Sequence, residues 1–474
     1  MAVEYDLIVI GNTPGGIYAA VAATALNARI ALITQNTSFA WNPVYSRTLL
    51  KTTRLVQQWE KAQGVEVSPE LQTEETQWNK ALKWAKEVCL TLSEQQSPAI
   101  LSSLGIDVIE GKGEFVRLPS LGFVVNNRKL RSRSYLIATG SSFKRPNTID
   151  YLTPTELWQQ SSAPSLPSRL IVFGGTPISV ELAQSLARLE HEITLVVGNP
   201  KLLPTEDRET SQLIQYQLEA EGVKILTESP VTQVRVIEGK KWVQAGNEAI
   251  ETDEIIVADE REPNIAGLNL EGVGVECSSK GIIINSKLQT TNPQIYACGD
   301  VAGGYPFSHL AQYEASIALK NALFLPFFKV DYQSIPWAIF TQPQLARVGM
   351  TESQAIERYG KDICIVKHYY KQIPQAQIIG KTTGFCKLIV RGNGQILGAH
   401  IVGEDATELI GAIAILIQNK IKLGAIAKIP LPSPTLSEIL SQTAIEWQRE
   451  RFRRNKTLQN ALETWLSFRR KLSK

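Results

Sequence analysis

The stretch YDLIVIGNTPGGIYAAVAATALNARIALIT (residues 5–34) decides the fold. An apolar run, a glycine-rich turn, an alanine-rich segment and a second apolar run follow in the order of a βαβ unit. In such a unit the helix opens with unpaired backbone N–H groups, which cradle a pyrophosphate. Gly11 and Gly16 stand at the first and third glycine places of a dinucleotide-binding turn, with Gly15 beside them. Thr13 stands at the second place, where a Cβ obstructs close approach to phosphate. Thr34 ends the second strand in place of the acid that would hold an adenosine ribose. On the motif alone, a plain α/β crossover competes with a nucleotide site.

The pattern returns in RLIVFGGTPISVELAQSLARLEHEITLVV (169–197). Gly174 and Gly175 open the turn, Thr176 and Ser179 replace the second and third glycines, and Val197 replaces the acid. Two such units in one chain argue for two nucleotide-binding domains, one for each cofactor of a hydride-transferring flavoprotein.

At 474 residues the chain has room for two or three domains. A net charge of +3 is too small for nucleic-acid binding by bulk charge, so no nucleic-acid partner is expected. The opening MAVEYDLIVIGNTPGG enters the first strand with no basic leader. The longest apolar stretch, IGAIAILIQ (410–418), falls short of the ~20 residues that span a bilayer. A cytoplasmic protein is expected. The five cysteines and four histidines show no CxxC and no ligand spacing, so no local redox dithiol and no metal centre are expected.

TTNPQIYACGDVAGG (290–304) and YLIATGSSFKRP (135–146) add family hallmarks, a strand ending in Gly-Asp and a domain-crossover segment. IPWAIFTQPQLARVGMTESQA and GFCKLIVRGNGQILGAHIVGEDATELI extend the likeness toward the C-terminus. Over roughly residues 4–445 the chain resembles the pyridine nucleotide–disulfide oxidoreductases, in the group of dihydrolipoamide dehydrogenase, glutathione reductase and mercuric reductase. The resemblance implies an α/β protein with two Rossmann-like domains and an α+β dimerisation domain. The FAD-binding domain would occupy 1–152 and 283–334, the NAD(P)-binding-like domain 153–282, and the dimerisation domain of a homodimer 335–446. It gives Asp300, with Gly299, the flavin ribityl chain, and adds Gly113, Thr139 and Gly140 to the cofactor-binding set. FAD is the expected cofactor, and Thr13 and Thr34 would offer it hydroxyls. Nicotinamide binding is less well marked: in VADEREPN (257–264) Glu260 replaces a family glycine close to the expected dinucleotide.

The family's chemistry is interrupted in TSFAWNPVYSRTLL (37–50). Where the family has two cysteines four residues apart, this chain has Ser38 and Pro43. In LPSPTLSEIL (431–440) Ser433 replaces the family's catalytic histidine, while Pro434, Thr435 and Glu438 persist. A serine hydroxyl is neither a thiolate nor a base that titrates near neutrality, so disulfide reduction by the family route is not expected. Cys89, set in the helix-like KWAKEVCLTL, reads as buried.

Charge near the flavin is kept. Arg47 takes the place of a family lysine and Glu181 that of a family glutamate, and in relatives these two pair beside flavin N5. The resemblance therefore implies a flavin-tuning Arg47–Glu181 pair, with Glu438 as a third site residue. Ser433 and Glu438 of the partner subunit would face Ser38 and Pro43, with Phe39 and Trp41 lining the pocket. The expected activity passes electrons from NAD(P)H through flavin to a small non-disulfide acceptor such as a quinone. The alternative is a non-catalytic or regulatory flavin-binding homodimer.

The final segment, WQRERFRRNKTLQNALETWLSFRRKLSK (447–474), places Leu458, Leu462, Trp465 and Leu466 at helical spacing among basic residues. It reads as one basic amphipathic helix that either packs on its own dimer or meets an anionic membrane or acidic protein.

Overall fold

The computed structural model describes residues 3–34, 42–63, 77–144, 151–159 and 166–472. The expectations for Ser38, Phe39 and Trp41 lie outside these residues. The chain forms two compact units, Met1–Asn199 with Gly222–Val330, and Pro200–Glu221 with Asp331–Lys474.

The first unit opens with β1 (Tyr5–Ile10), α1 (Pro14–Thr24) and β2 (Ile30–Thr34). Then come α2 (Asn42–Gln63), α3 (Gln77–Glu94), β3 (Ile106–Glu110) and β4 (Ser132–Ile137). A second βαβ set follows: β5 (Arg169–Phe173), α4 (Pro177–Ala187) and β6 (Glu192–Val196). Next in the chain come α5 (Arg208–Ala220), which belongs to the second unit, and then β7 (Lys224–Leu226) and β8 (Glu254–Val257) of the first. The chain then returns through β9 (Ile295–Ala297) and α6 (Ser308–Leu323).

Two parallel sheets result, ordered β9-β4-β1-β2-β3 and β7-β6-β5-β8. The continuous apolar run of β1 is explained by burial on both faces. Leu7 and Val9 pack with Ala19, Ala20 and Ala23 of α1 and Ala315 and Ala318 of α6. Ile8 and Ile10 point the other way, toward Phe115, Phe123 and Tyr135. Alternation along one strand thus joins two cores.

The second unit contains β10 (Trp337–Ile339), β11 (Gln344–Gly349), β12 (Ile363–Tyr369), β13 (Phe385–Arg391) and β14 (Ile396–Gly403). They form an antiparallel sheet ordered β10-β11-β14-β13-β12. Packed on it are α7 (Ala406–Gln418) and α8 (Glu438–Arg454), and α9 (Lys456–Leu472) ends the described chain. Segment 200–221, which the sequence places in the nucleotide-binding insert, clusters with this unit. Its acids explain why. The fully buried Lys387 meets Asp207 at 2.9 Å and Glu352 at 2.5 Å, and Arg347 lies 3.6 Å from Glu206. Trp337 Nε1 donates to Glu206 at 3.1 Å.

The tail differs from the single helix expected over 447–474. α8 stops at Arg454, and the Asn455 side chain accepts a bond from Leu458 N at 3.0 Å, starting α9. Gln459 Nε2 donates to the carbonyls of Phe452 and Arg453, satisfying the end of α8. No helix among the described residues is long and apolar enough to cross a membrane.

Candidate functional site

The two glycine turns share one construction. Gly11 leaves β1 with φ +108°, and a Cβ there would overlap the backbone of Ala138 and Thr139 at the end of β4. Thr13 caps α1: its hydroxyl accepts from Gly16 N at 3.5 Å and donates to Ala138 O at 2.7 Å. Gly15 and Gly16 are buried in the first turn. At the second turn Gly174 has φ +126°, followed by Gly175, and Thr176 donates to Ala258 O at 2.8 Å while capping α4. Each threonine that displaces a glycine thus ties its helix to the end of a neighbouring strand.

At the first turn the other sequence-singled residues converge. Asp300, just past β9, accepts from Ser141 Oγ at 3.1 Å and lies 3.6 Å from Arg261 Nη2. Burial raises its pKa, and the Arg261 charge opposes that shift. The Gly299 N–H donates to the buried Glu314 carboxylate at 2.6 Å. Thr139 donates to Asn264 O at 2.7 Å, and Gly140 O accepts from Asn264 N at 2.9 Å. Thr34 ends β2, where its carbonyl accepts from Gly111 N, and Gly113 opens a short strand (Gly113–Val116). Arg261 was missed in the sequence. It donates from Nε to Ser141 Oγ and from Nη2 to Ser141 O, both at 2.8 Å, and stacks over Phe143. Its signal stood in VADEREPN, beside Glu260.

Around the second turn the chemistry is more acidic. Val197 is fully buried, and Glu260 is an exposed partner of Lys144 at 2.7 Å. Asp259 approaches Gly174, and its pKa is raised by burial and then by Glu260.

Helix α2 packs against α4 and brings Ser46 to Glu181. Ser46 Oγ donates to Glu181 Oε2 at 2.6 Å, and both residues are buried. Arg47 feels the same carboxylate. Surrounding protein lowers its pKa and the Glu181 charge opposes that shift. Arg47 itself is exposed. Next to it Tyr45 stacks on Trp158 at 5.9 Å, and Trp158 on Trp78 at 6.1 Å. Ser46 was the other residue the sequence reading passed over.

None of the five cysteines is paired with another. Cys89 is buried within α3, and burial pushes its thiol up to about 11. Cys386 rises to about 12 for the same reason. Within the second unit Ser433 is exposed, and Glu438 accepts from Thr435 N at 2.9 Å at the start of α8. Among the described residues no group of three His, Cys, Asp or Glu could hold a metal.

The pyridine nucleotide-disulphide oxidoreductase family matches residues 5–315, and its dimerisation domain matches 335–444. The chain belongs to this family. It is 31% identical to a mercuric reductase of Staphylococcus aureus, over 94% of this chain and 83% of that one. It is 29% identical to a dihydrolipoyl dehydrogenase of Bacillus subtilis, over 93% and 98%. Among solved structures it resembles a copper(II) complex of the HOCl-induced flavoprotein disulfide reductase RclA from Escherichia coli. There the identity is 25% and the TM-score 0.79, covering 94% of this chain and 99% of that one. LpdA from Mycobacterium tuberculosis shares the fold, with 24% identity and a TM-score of 0.83 over 93% and 99% of the two chains. Family membership makes the chain an oxidoreductase-type protein with an FAD-binding domain and a homodimerisation domain. It lacks the close cysteine pair of a disulfide reductase.

The first turn fits FAD. A glycine cradle under a capped helix, with a strand-end carboxylate alongside, offers backbone N–H groups to phosphates and an acceptor to hydroxyls.

Proposed function

We propose that this protein takes electrons from NAD(P)H and delivers them to a small non-disulfide acceptor, a quinone being the leading class. Bound at the first turn, FAD supplies the hydride acceptor between the two substrates. The observation that carries the reading is the buried Ser46–Glu181 contact beside Arg47. In this reading Ser46 holds Glu181, Glu181 holds Arg47, and the Arg47 charge would stabilise the negative charge that a bound flavin gathers on reduction. Thr13, Thr34, Gly11, Gly15, Gly16, Gly113, Thr139, Gly140, Gly299 and Asp300 form the FAD cradle. Gly174, Gly175, Val197 and Glu260 line the nicotinamide side. Glu438 of the partner subunit closes the acceptor pocket. The enzyme is cytoplasmic.

The non-catalytic reading draws on one observation: Asp259 lies against Gly174 at the second turn, where a carboxylate opposes a dinucleotide phosphate. Turnover separates the two. With NADH or NADPH and a water-soluble benzoquinone, the enzyme reading expects donor oxidation that saturates with quinone and persists after thiol alkylation. A yellow protein that neither donor reduces leaves the non-catalytic reading.

A further inference from the structure

The described chain ends in a helix that its own fold leaves uncovered. α9 has no buried residue, although Leu458, Leu462, Trp465, Leu466, Phe468 and Leu472 occur in seventeen residues. At about 100° per residue these six side chains share one face. Trp465 is 57% exposed and Phe468 54%, their rings 6.2 Å apart. Lys456, Arg470 and Lys471 stand off that face, while Arg469 emerges within it on a long aliphatic stem that can reach a polar boundary. An isolated helix of this length is marginal in water, so its apolar stripe needs a cover.

Charge selects the cover. From Arg449 to the end there are nine Lys or Arg against two Glu, an excess larger than the +3 of the whole chain. The residues before the tail are therefore net negative. In α8 the arginines are partly spent on neighbours: Arg449 and Arg453 pair with Glu446, and Arg453 and Arg454 with Glu450. Within α9 Glu463 is the one acid. The segment also lies beyond the family's dimerisation domain, which ends at 444. Trp, Phe and Leu on one face and cations on the other is the make-up of helices that lie in a bilayer interface.

We propose that α9 seats this protein on an anionic lipid surface, its helix axis in the plane of the bilayer and its Trp465–Phe468 edge among the acyl chains. The proposal is independent of the electron acceptor and of whether the flavin turns over.

The test is co-sedimentation of the full-length flavin-loaded protein with vesicles of phosphatidylcholine, alone or with about one-third phosphatidylglycerol. Three variants accompany it: Leu462→Glu with Trp465→Glu, Arg470→Glu with Lys471→Glu, and a chain ending at Asn455. Binding to anionic vesicles is expected at low salt, with little binding to neutral ones and loss as salt rises. Each variant should lower the bound fraction about tenfold or more, because each cationic residue near the headgroups and each buried apolar side chain adds to affinity. Full-length protein that stays in the supernatant with anionic vesicles at low salt overturns the proposal. So does a shift of Leu462→Glu/Trp465→Glu from a higher oligomer to a dimer in sedimentation, which would make a second copy the cover. Equal binding to neutral and anionic vesicles also overturns it, since charge would then play no part.

Discussion

The Ser46 hydroxyl donates a 2.6 Å hydrogen bond to the Glu181 carboxylate, fastening α2 to α4 inside the first unit. The two residues are 135 positions apart, and both are buried. A charged acceptor in such a bond contributes more than a neutral one. The contact orients the carboxylate whose charge acts on Arg47.

Glu181→Gln keeps an acceptor for Ser46 and removes the charge. Anaerobic stopped-flow reduction by the preferred nicotinamide is expected to slow about tenfold or more, roughly the effect of one misplaced electrostatic group. The thermal midpoint should move little. Glu181→Leu strands the Ser46 hydroxyl and should also destabilise by about 1–3 kcal/mol. Unchanged reduction in Glu181→Gln would detach this pair from the chemistry.

Gly11→Ala puts a methyl into the backbone of Ala138 and Thr139, at φ +108°. The expected result is protein purified with little or no flavin, read from the ratio of visible to ultraviolet absorbance. Wild-type flavin content would contradict the cradle.

Much of this architecture was legible in the sequence because it is written locally. The βαβ order, the glycine at the first turn, the helical setting of Cys89 and the basic tail each follow from neighbouring residues. What was missed depends on distant partners. Arg261 meets Ser141 across 120 positions, and Ser46 meets Glu181 across 135. Thr13 and Thr176 read locally as damage to glycine motifs, whereas both hydroxyls cap a helix and bond a strand end. The clustering of segment 200–221 with the second unit rests on pairing with Arg347 and Lys387, which joins residues well over a hundred positions apart. The tail read as one helix because the cap at Asn455 depends on a single side-chain bond.

Thiol chemistry should be nearly silent. Surrounding protein raises the pKa of all five thiols; Cys277 is exposed, while Cys89, Cys298, Cys364 and Cys386 are buried. Iodoacetamide at neutral pH on the native protein should modify Cys277 alone and slowly, as read by mass spectrometry, because it is the one thiol the reagent reaches and its raised pKa leaves little thiolate. Rapid modification of Cys89 would reopen a role for it beside Tyr45.

The second unit should weaken in acid. His400 is fully buried; its Nε2 lies 3.2 Å from Met350 O, and its Nδ1 has no hydrogen-bond partner among the described residues. Burial lowers its pKa from 6.5 to about 4, against the pull of Asp207, with Arg347 and Lys387 also facing it. The unfolded chain therefore binds a proton between these values that the folded one refuses. Stability is full above about 6.5 and falls as pH drops toward about 4, by on the order of 3 kcal/mol. Urea midpoints at pH 7 and pH 5 should differ more for the native protein than for His400→Leu. Equal pH dependence in the two would locate the effect elsewhere.

The central claim is a flavin centre that works without a disulfide, and an anaerobic reductive titration of the purified protein tests it most directly. With no cysteine pair to fill, complete reduction should consume about two electron equivalents per bound flavin. No thiolate-to-flavin charge-transfer band should develop on the way. Uptake of about four equivalents with that band would reveal a redox-active disulfide and contradict the account.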